Sequence, residues 1–264
     1  MVTGVSYNVF NGEEHLLSSL RIMRKNVDYI NIVVQYVSNF GLQCKPELPL
    51  IIEQALNEKL VDEVVTFVPD LAARPQLNEV RKRNIGLTNA KNAGITHFMT
   101  MDCDEYYVPE EFANAKEIIL TDNILVSSCR SYLHIKRPIY RSENTDTTCI
   151  SFLTKLESKS EIVINSYYPT LVDPTRRLHG DSSKFLFLDS NIVCMRHMNL
   201  VRHDLSWKLA NSPNKTNVEF MTKVGDVCAN WKFGEVLNFP NKPAMNIIQV
   251  EDIFDIDANF MISN

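Results

Sequence analysis

The segment "THFMTMDCDEYY", residues 96–107, ends an apolar run in two acids one residue apart, Asp102 and Asp104. On an extended chain, side chains two apart share a side, so the two carboxylates are expected to converge while Cys103 faces away. Carboxylates that close repel each other, and a divalent cation relieves the repulsion. Oxygen donors favour a hard ion, Mg²⁺ or Mn²⁺, with open positions filled by water or by substrate phosphates. The plainer alternative is a solvated acidic turn after a strand.

The elements that must deliver this pair alternate along the first part of the chain. Residues 4–10 form a short β-like run, and "NGEEHLLSSLRIMRK" sets Leu16, Leu17, Leu20 and Met23 at helical spacing behind an acidic first turn. "YINIVVQYV", residues 29–37, is nearly continuous β-branched and aromatic sequence, the pattern of a strand buried on both faces, and it stops at "SNFG". Pro49 is expected to open a helix carrying Ile51, Ile52, Ala55 and Leu56. "EVVTFV" supplies a third strand, residues 76–93 a third helix, and "HFMTM" the fourth strand, which delivers Asp102. This alternation predicts an α/β fold with a mostly parallel central sheet flanked by helices and ligands at the carboxyl ends of the strands. Beyond residue 120 the pattern loosens. "ILVSSCRSYLHI" and "SNIVCMRHM" read as strands and "DLSWKLANS" as a short helix, separated by Pro-, Asn-, Ser- and Thr-containing stretches. The expectation is one domain over residues 1–264, with a regular half (1–112) and an irregular half (113–264) on the same sheet.

Composition narrows the function classes. With 45% hydrophobic residues in 264, the chain can bury a substantial core. A net charge of −5 and no polybasic block argue against nucleic acid as the main partner. No stretch approaches the length of apolar sequence that a membrane-spanning helix needs. The six cysteines are scattered with no C-x-x-C pair, which argues against a zinc ribbon or a disulfide framework. A reducing cytoplasm is the expected home, with a peripheral place at a membrane left open. The phosphate loop, the dinucleotide fingerprint and the serine-hydrolase elbow are all missing from the sequence.

The segment "RNIGLTNAKNAGITHFMTMDCDEYY" resembles the arginine-asparagine-x-glycine helix, following strand and D-x-D of nucleotide-sugar glycosyltransferases of the GT-A fold, the family 2-like kind. "VFNGEEHLLSSL" is similar to the family's first strand, which ends in an Asn-Glu pair and leads into a helix. The resemblance covers residues 4–112 and implies a sugar transfer from a nucleoside diphosphate, uridine being the common base, to a hydroxyl of a glycan, glycolipid or glycoprotein acceptor. It implies Asp104 as a direct metal ligand and Asp102 near the donor ribose or the metal through water. It also implies Phe10, Asn11, Glu13 and Arg83 around the donor. "CMRHMNLVRHDLSWKLANS" is similar to the segment that supplies a further metal ligand and phosphate-facing cations, which implies His197 on the metal, with His203 as its alternative, and Arg202 and Lys208 on the diphosphate. One departure stands out: the acid that usually meets the base after the second strand is missing from "VVQYVSNFG", leaving Gln35 or Tyr36 to read it.

An inverting transfer needs a carboxylate to take the acceptor proton. Asp173, Asp181 and Asp189 lie in the right part of the chain, and Asp181 in the loop-like "HGDSS" is preferred. Each assignment has a structural competitor. Arg83 could pair with Glu79 at helical spacing. Arg202 and Lys208 could be surface cations, and either histidine could be a hydrogen-bonded structural residue. Tyr106, Tyr107, Trp207, Trp231 and Phe233 read as core residues, although Trp231 beside Lys232 and Gly234 could form a sugar-stacking wall. Two other classes compete with the transferase: a haloacid dehalogenase-like phosphatase with Asp102 as nucleophile, and a domain that binds a nucleotide-sugar without turnover.

Overall fold

In the computed structural model, which describes residues 1–212 and 217–261, the first half is a run of β/α units. These are β1 (Thr3–Val9), α1 (Glu13–Met23), β2 (Tyr29–Val34), α2 (Glu47–Asn57), β3 (Glu63–Thr66), α3 (Pro75–Asn92) and β4 (His97–Asp102). The strands order as β3-β2-β1-β4, all parallel. The chain thus moves outward from β1 to β3 and then returns to the other side of β1, which makes the β1/β4 junction the topological switch point where open α/β sheets bind ligands. The pairing of Asn8 with Asp102 puts the loops leaving both strands side by side at that junction.

The sequence of β1 explains its two faces. Val5, Tyr7 and Val9 enter a main core shared with Leu16 and Leu20 of α1 and Ile52 of α2. Ser6 and Asn8 alternate to the other face, where α3 lies. There Gly86 allows an unusually close approach: a Cβ at this position would stand 1.8 Å from the Ser6 Oγ. Asn31 of β2 adds a hydrogen bond from its side-chain nitrogen to the Gly86 carbonyl at 2.9 Å. Two boundaries differ from expectation. β2 stops at Val34, after which the chain turns so that Val37 bridges Gln43. α2 starts at Glu47, ahead of Pro49, whose missing N–H falls in the first turn where no helical bond is lost.

The second half widens the same sheet with mixed pairing. β5 (Glu105–Tyr106) and α4 (Pro109–Thr121) lead into the long β6 (Val126–Ile135), then β7 (Arg137–Ser142) and β8 (Ile150–Lys155), the last inserted antiparallel between β4 and β6. A small ribbon of β9 (Glu161–Ile162) and β10 (Leu178–His179) sits beside α3, with a short 3-10 turn, Pro174–Arg176, just before β10. β11 (Phe185–Leu188) and β12 (Cys194–Leu200) run parallel to β6, and β12 also pairs with β5. Two helices, α5 (Leu205–Ala210) and α6 (Val218–Asn230), precede β13 (Ile247–Gln249) on the sheet edge. The result is a mixed α/β fold whose curled central sheet is parallel from β3 to β4, mixed beyond, and flanked by helices. All six cysteines are free thiols. Among the described residues no helix is long and apolar enough to cross a membrane.

Candidate active site

A cleft of 550 Å³ opens at the switch point. β4 supplies Asp102 from its last position, and the turn to β5 supplies Asp104. Strand alternation is therefore not what brings the two acids together: Cys103 and Asp104 form a turn, and the turn swings Asp104 into the cleft. Cys103, expected to face away, is buried where a side chain at Gly12 would otherwise stand and still forms part of the cleft wall. Gly12 has φ of +96°, and a Cβ there would also come within 2.9 Å of the Arg202 guanidinium, so this glycine permits both its own turn and the approach of Arg202.

Each acid is held by its own cations. Asp102 accepts from Arg83 at 3.1 Å and from Arg176 at 2.5 Å. Burial pushes its carboxyl up, but Arg176 and then Arg83 outweigh that and hold it down at about 2. Asp104 accepts from Lys208 at 2.6 Å and from Arg202. Burial opposes its ionisation, yet Lys208 and Arg202 keep it well below the usual carboxylate range. His197 Nε2 lies 3.8 Å from Asp104 Oδ1. Burial, only partly offset by Asp104, holds His197 down at about 4, so the ring is neutral at physiological pH and offers a lone pair.

The three named residues of the Arg-Asn-x-Gly helix turn out to have three separate tasks. Arg83 reaches Asp102, and Gly86 lets the helix lie against β1. Asn84 pins the β9 strand by donating to the Ile162 carbonyl and accepting from the Ile162 amide, both at 2.8 Å. Arg83 does not pair with Glu79. That carboxylate instead receives the side-chain amides of Asn8 and Asn39, at 3.2 and 3.1 Å. Gln35 is fixed in a similar way by donating to the Val37 carbonyl at 2.9 Å. A carboxylate or carbonyl can only accept, so these contacts fix which end of each amide is nitrogen. The side-chain oxygens of Asn8, Gln35 and Asn39 are left buried and unpartnered beside the cleft.

Of the residues expected at the site, Phe10, Asn11, Arg83, Asp102, Asp104, His197, Arg202 and Lys208 all line the cleft. Three do not. Tyr36 packs against the main core, and its neighbour Gln35 takes the cleft position. Glu13 is buried at the start of α1, where it accepts from the Gly12 amide at 3.1 Å instead of facing the cleft. Asp181 is exposed in the loop after β10 with its carboxylate accepting from the Ser183 amide at 2.8 Å, outside the cleft. Of the other two acids considered with it, Asp189 is exposed elsewhere and Asp173 lines the cleft. His203 is bound to the Asn259 carbonyl at 2.8 Å and is not on the cleft wall. Trp231 is core: it is buried beneath α6 and donates to the Glu235 carbonyl at 2.9 Å.

Sequence reasoning missed Arg176, Glu105 and Lys82. Arg176, 6% exposed, bridges Asp102 and Glu105, meeting the latter at 2.5 and 3.0 Å. Its signal is "VDPTRR", where Asp173 caps a turn with proline in first place and so fixes the start of the segment that carries Arg176. Lys82 is buried on the cleft wall with its ammonium 3.3 Å from the Val9 carbonyl.

No group of three or more His, Cys, Asp or Glu side chains among the described residues is arranged to hold a metal. Asp104 and His197 together still make a workable partial donor set. One carboxylate and one neutral imidazole would leave most positions of a divalent ion for water and phosphate oxygens; the imidazole suits a transition ion such as Mn²⁺ better than Mg²⁺, which favours oxygen donors throughout.

No protein-family profile matches this chain, and no curated protein matches it. Among solved structures, S. aureus TarS 1–349 in complex with UDP is 16% identical, covering 50% of this chain and 36% of its own, with a TM-score of 0.38. The UDP-GlcNAc complex of the same protein gives 16%, 50%, 35% and 0.38. GalNAc-T7 with UDP, GalNAc and Mn²⁺ is 12% identical, covering 86% of this chain and 48% of its own, with a TM-score of 0.42. All three are remote likenesses, and this chain spans less than half the length of each.

Proposed function

We propose that this chain is a metal-dependent glycosyltransferase of the GT-A kind, moving a sugar from a nucleoside diphosphate, UDP being the first candidate, to a hydroxyl of a glycan, glycolipid or glycoprotein. The observation that carries this reading is the charge balance of the cleft. Four cations (Lys82, Arg83, Arg202, Lys208) and four carboxylates (Glu79, Asp102, Asp104, Asp173) line it. A wall with equal numbers of both signs suits a ligand that also brings both signs, as a diphosphate with a divalent cation does.

In this reading Asp104 and His197 hold the cation, Mn²⁺ or Mg²⁺, which when bound supplies Lewis-acid stabilisation of the leaving diphosphate. Arg202 and Lys208, now on Asp104, turn to the phosphate oxygens, where charge-assisted hydrogen bonds strengthen as negative charge grows. Asp102, held ionised by Arg83 and Arg176, accepts from a donor hydroxyl. Asn8, Gln35 and Asn39 face the base with neutral acceptors in place of the missing acid, and Phe10 and Asn11 close that end. Glu13 acts behind this wall by fixing the Gly12 amide. For an inverting transfer Asp173 replaces Asp181 as the base: it takes the acceptor proton as the hydroxyl oxygen bonds to the anomeric carbon and the diphosphate leaves.

Thermal-shift screening against UDP, GDP and their sugars, with and without Mn²⁺, tests this directly. Saturating ligand at a hundred times its Kd adds about 2.7 kcal/mol, or a rise of about 5–10 °C for a domain of this size. The expected result is a metal-dependent shift from one nucleotide that Asp104→Ala removes. No shift with any nucleotide, together with phosphate monoester hydrolysis that Asp102→Asn abolishes, overturns the reading and makes Asp102 a nucleophile.

A further inference from the structure

A second cavity of 880 Å³ lies behind Arg202 at α5 and α6; most of its surface is apolar, from residues such as Leu200, Leu205, Leu209 and Phe260, with Lys136, Arg137, His203 and Asp226 also on its wall. Two features tie it to the cleft. Arg202 lines both spaces. α5 divides them along its own length, presenting Lys208 to the cleft and Leu205 and Leu209, one helical turn apart, to the cavity. A third feature concerns the cover. α5 has no fully buried residue and α6 has only Cys228, so Phe220, Met221, Val224 and Val227 of α6 stay half-buried. An amphipathic helix normally sinks its apolar face into the core. The apolar face of α6 does so only in part: Val224 and Val227 pack against the core cluster of Ile135, Leu200 and Trp231, while Gly225, Cys228 and Ala229 line the cavity.

We infer that this cavity holds the hydrocarbon part of an amphipathic acceptor, whose hydroxyl-bearing head enters the cleft past Arg202. The inference rests on the transferase reading and selects among its acceptors: a lipid-linked or alkyl-bearing sugar rather than a free glycan or a protein side chain. A concave, largely apolar space separated from a charged cleft only by Arg202 and α5 suits one molecule with an apolar tail and a polar head. A folded protein acceptor would have no chain to fill it.

Gly225 gives a clean way to close the cavity. It lines the space from α6 at ordinary helical geometry, and a Cβ there meets only the Leu209 Cδ1, at 3.4 Å. The probes are alkyl β-glucosides of four to ten carbons, used as monomers and measured by calorimetry with glucose as reference. Wild-type affinity is expected to rise with chain length, by about fourfold per methylene at full burial. Gly225→Phe should remove the chain-length dependence while leaving the nucleotide shift intact, and Leu209→Lys, which charges the cavity from α5, should do the same. With the donor sugar found by thermal shift, octyl glucoside should be used at least tenfold better than glucose in kcat/KM, and Gly225→Phe should bring the two level. Flat chain-length dependence in the wild type overturns the inference, as does unchanged dependence in both variants or a dimer that shields α5 and α6 from every probe. Failure of nucleotide binding with chain-length dependence intact and lost in the variants removes the transferase reading alone and keeps the hydrocarbon site.

Discussion

Two helices of this protein carry a glycine toward their neighbours, and they do so in opposite circumstances. In α3, Gly86 is pressed against β1 so closely that no side chain fits. In α6, Gly225 looks onto Leu209 across a cavity with room for an ordinary contact. The first contact belongs to a region where the main charged and amide side chains are pinned: Arg83 and Arg176 on Asp102, Asn84 on β9, Asn31 on the α3 backbone. The second belongs to a cap in which only Cys228 is fully buried and most of the other apolar residues of the two helices are half-buried. The difference teaches that the chain fixes the geometry of its charged cleft by tight packing from one side, and leaves a compliant apolar wall on the other.

The strongest way to break the locked region is Arg176→Met. It strips a buried cation from Asp102 and Glu105, and loss of one partner from a buried ionic group costs about 3–5 kcal/mol. Urea unfolding at neutral pH should show that loss. Lys223→Ala, which removes an exposed pair with Glu219 on α6, should change stability by less than about 0.5 kcal/mol. Equal effects of the two changes would erase the contrast.

Acid should act next. His15 is fully buried, with its ring between the Tyr106 hydroxyl at 3.1 Å and the Val201 carbonyl at 2.6 Å. Burial, with Arg202 adding to it, pushes its pKa down to about 4. Because the folded value lies below the unfolded one near 6.5, the unfolded chain binds the extra proton in between. Stability is therefore full above about pH 6.5 and falls as pH drops toward about 4, by about 3 kcal/mol for this residue alone. His134 and His97, held down by burial to about 3 and about 4, act in the same direction. Glu105, raised by burial to about 7, acts in the opposite direction, so the readout is a difference: His15→Gln should flatten the fall in denaturation midpoint between pH 7.0 and 4.5 relative to the wild type.

The glycines give smaller effects than Arg176→Met or acid, and the sharpest comparison. Gly86→Ala should lower stability by about 1–3 kcal/mol through overpacking against Ser6. Gly225→Ala should raise it by up to about 1 kcal/mol, because alanine favours the helix and the space is there. Melting temperatures of the two variants should move in opposite directions; a shared sign would mean that the cap packs as tightly as the centre.

Much of the centre was legible in the sequence. The β/α alternation of residues 3–102 depends on local periodicity, and so does the delivery of Asp102 at a strand end. Arg83, Arg202, Lys208 and His197 were found because their segment types follow a recurrent order. Asp181 was misplaced because a loop that looks exposed in sequence gives no direction toward the cleft or away from it. Glu13 and Tyr36 fell off the wall for a related reason: each adjoins a residue that does face it, and the turn geometry decides between neighbours.

By itself the sequence determined the strands and covering helices of residues 3–102, two strands and a short helix beyond them, and the chemical types gathered after β1 and β4, since period and turn signals act over a few residues. Only the tertiary structure decided which cations hold which acid. Arg176 meets Asp102 and Glu105 from 74 and 71 residues away along the chain. Such pairings depend on the path of an irregular loop, and no local pattern encodes where that loop returns. The cavity under α5 and α6 has the same origin. Amphipathic spacing says that a helix has an apolar face, but only packing in three dimensions says whether the space beneath that face is filled.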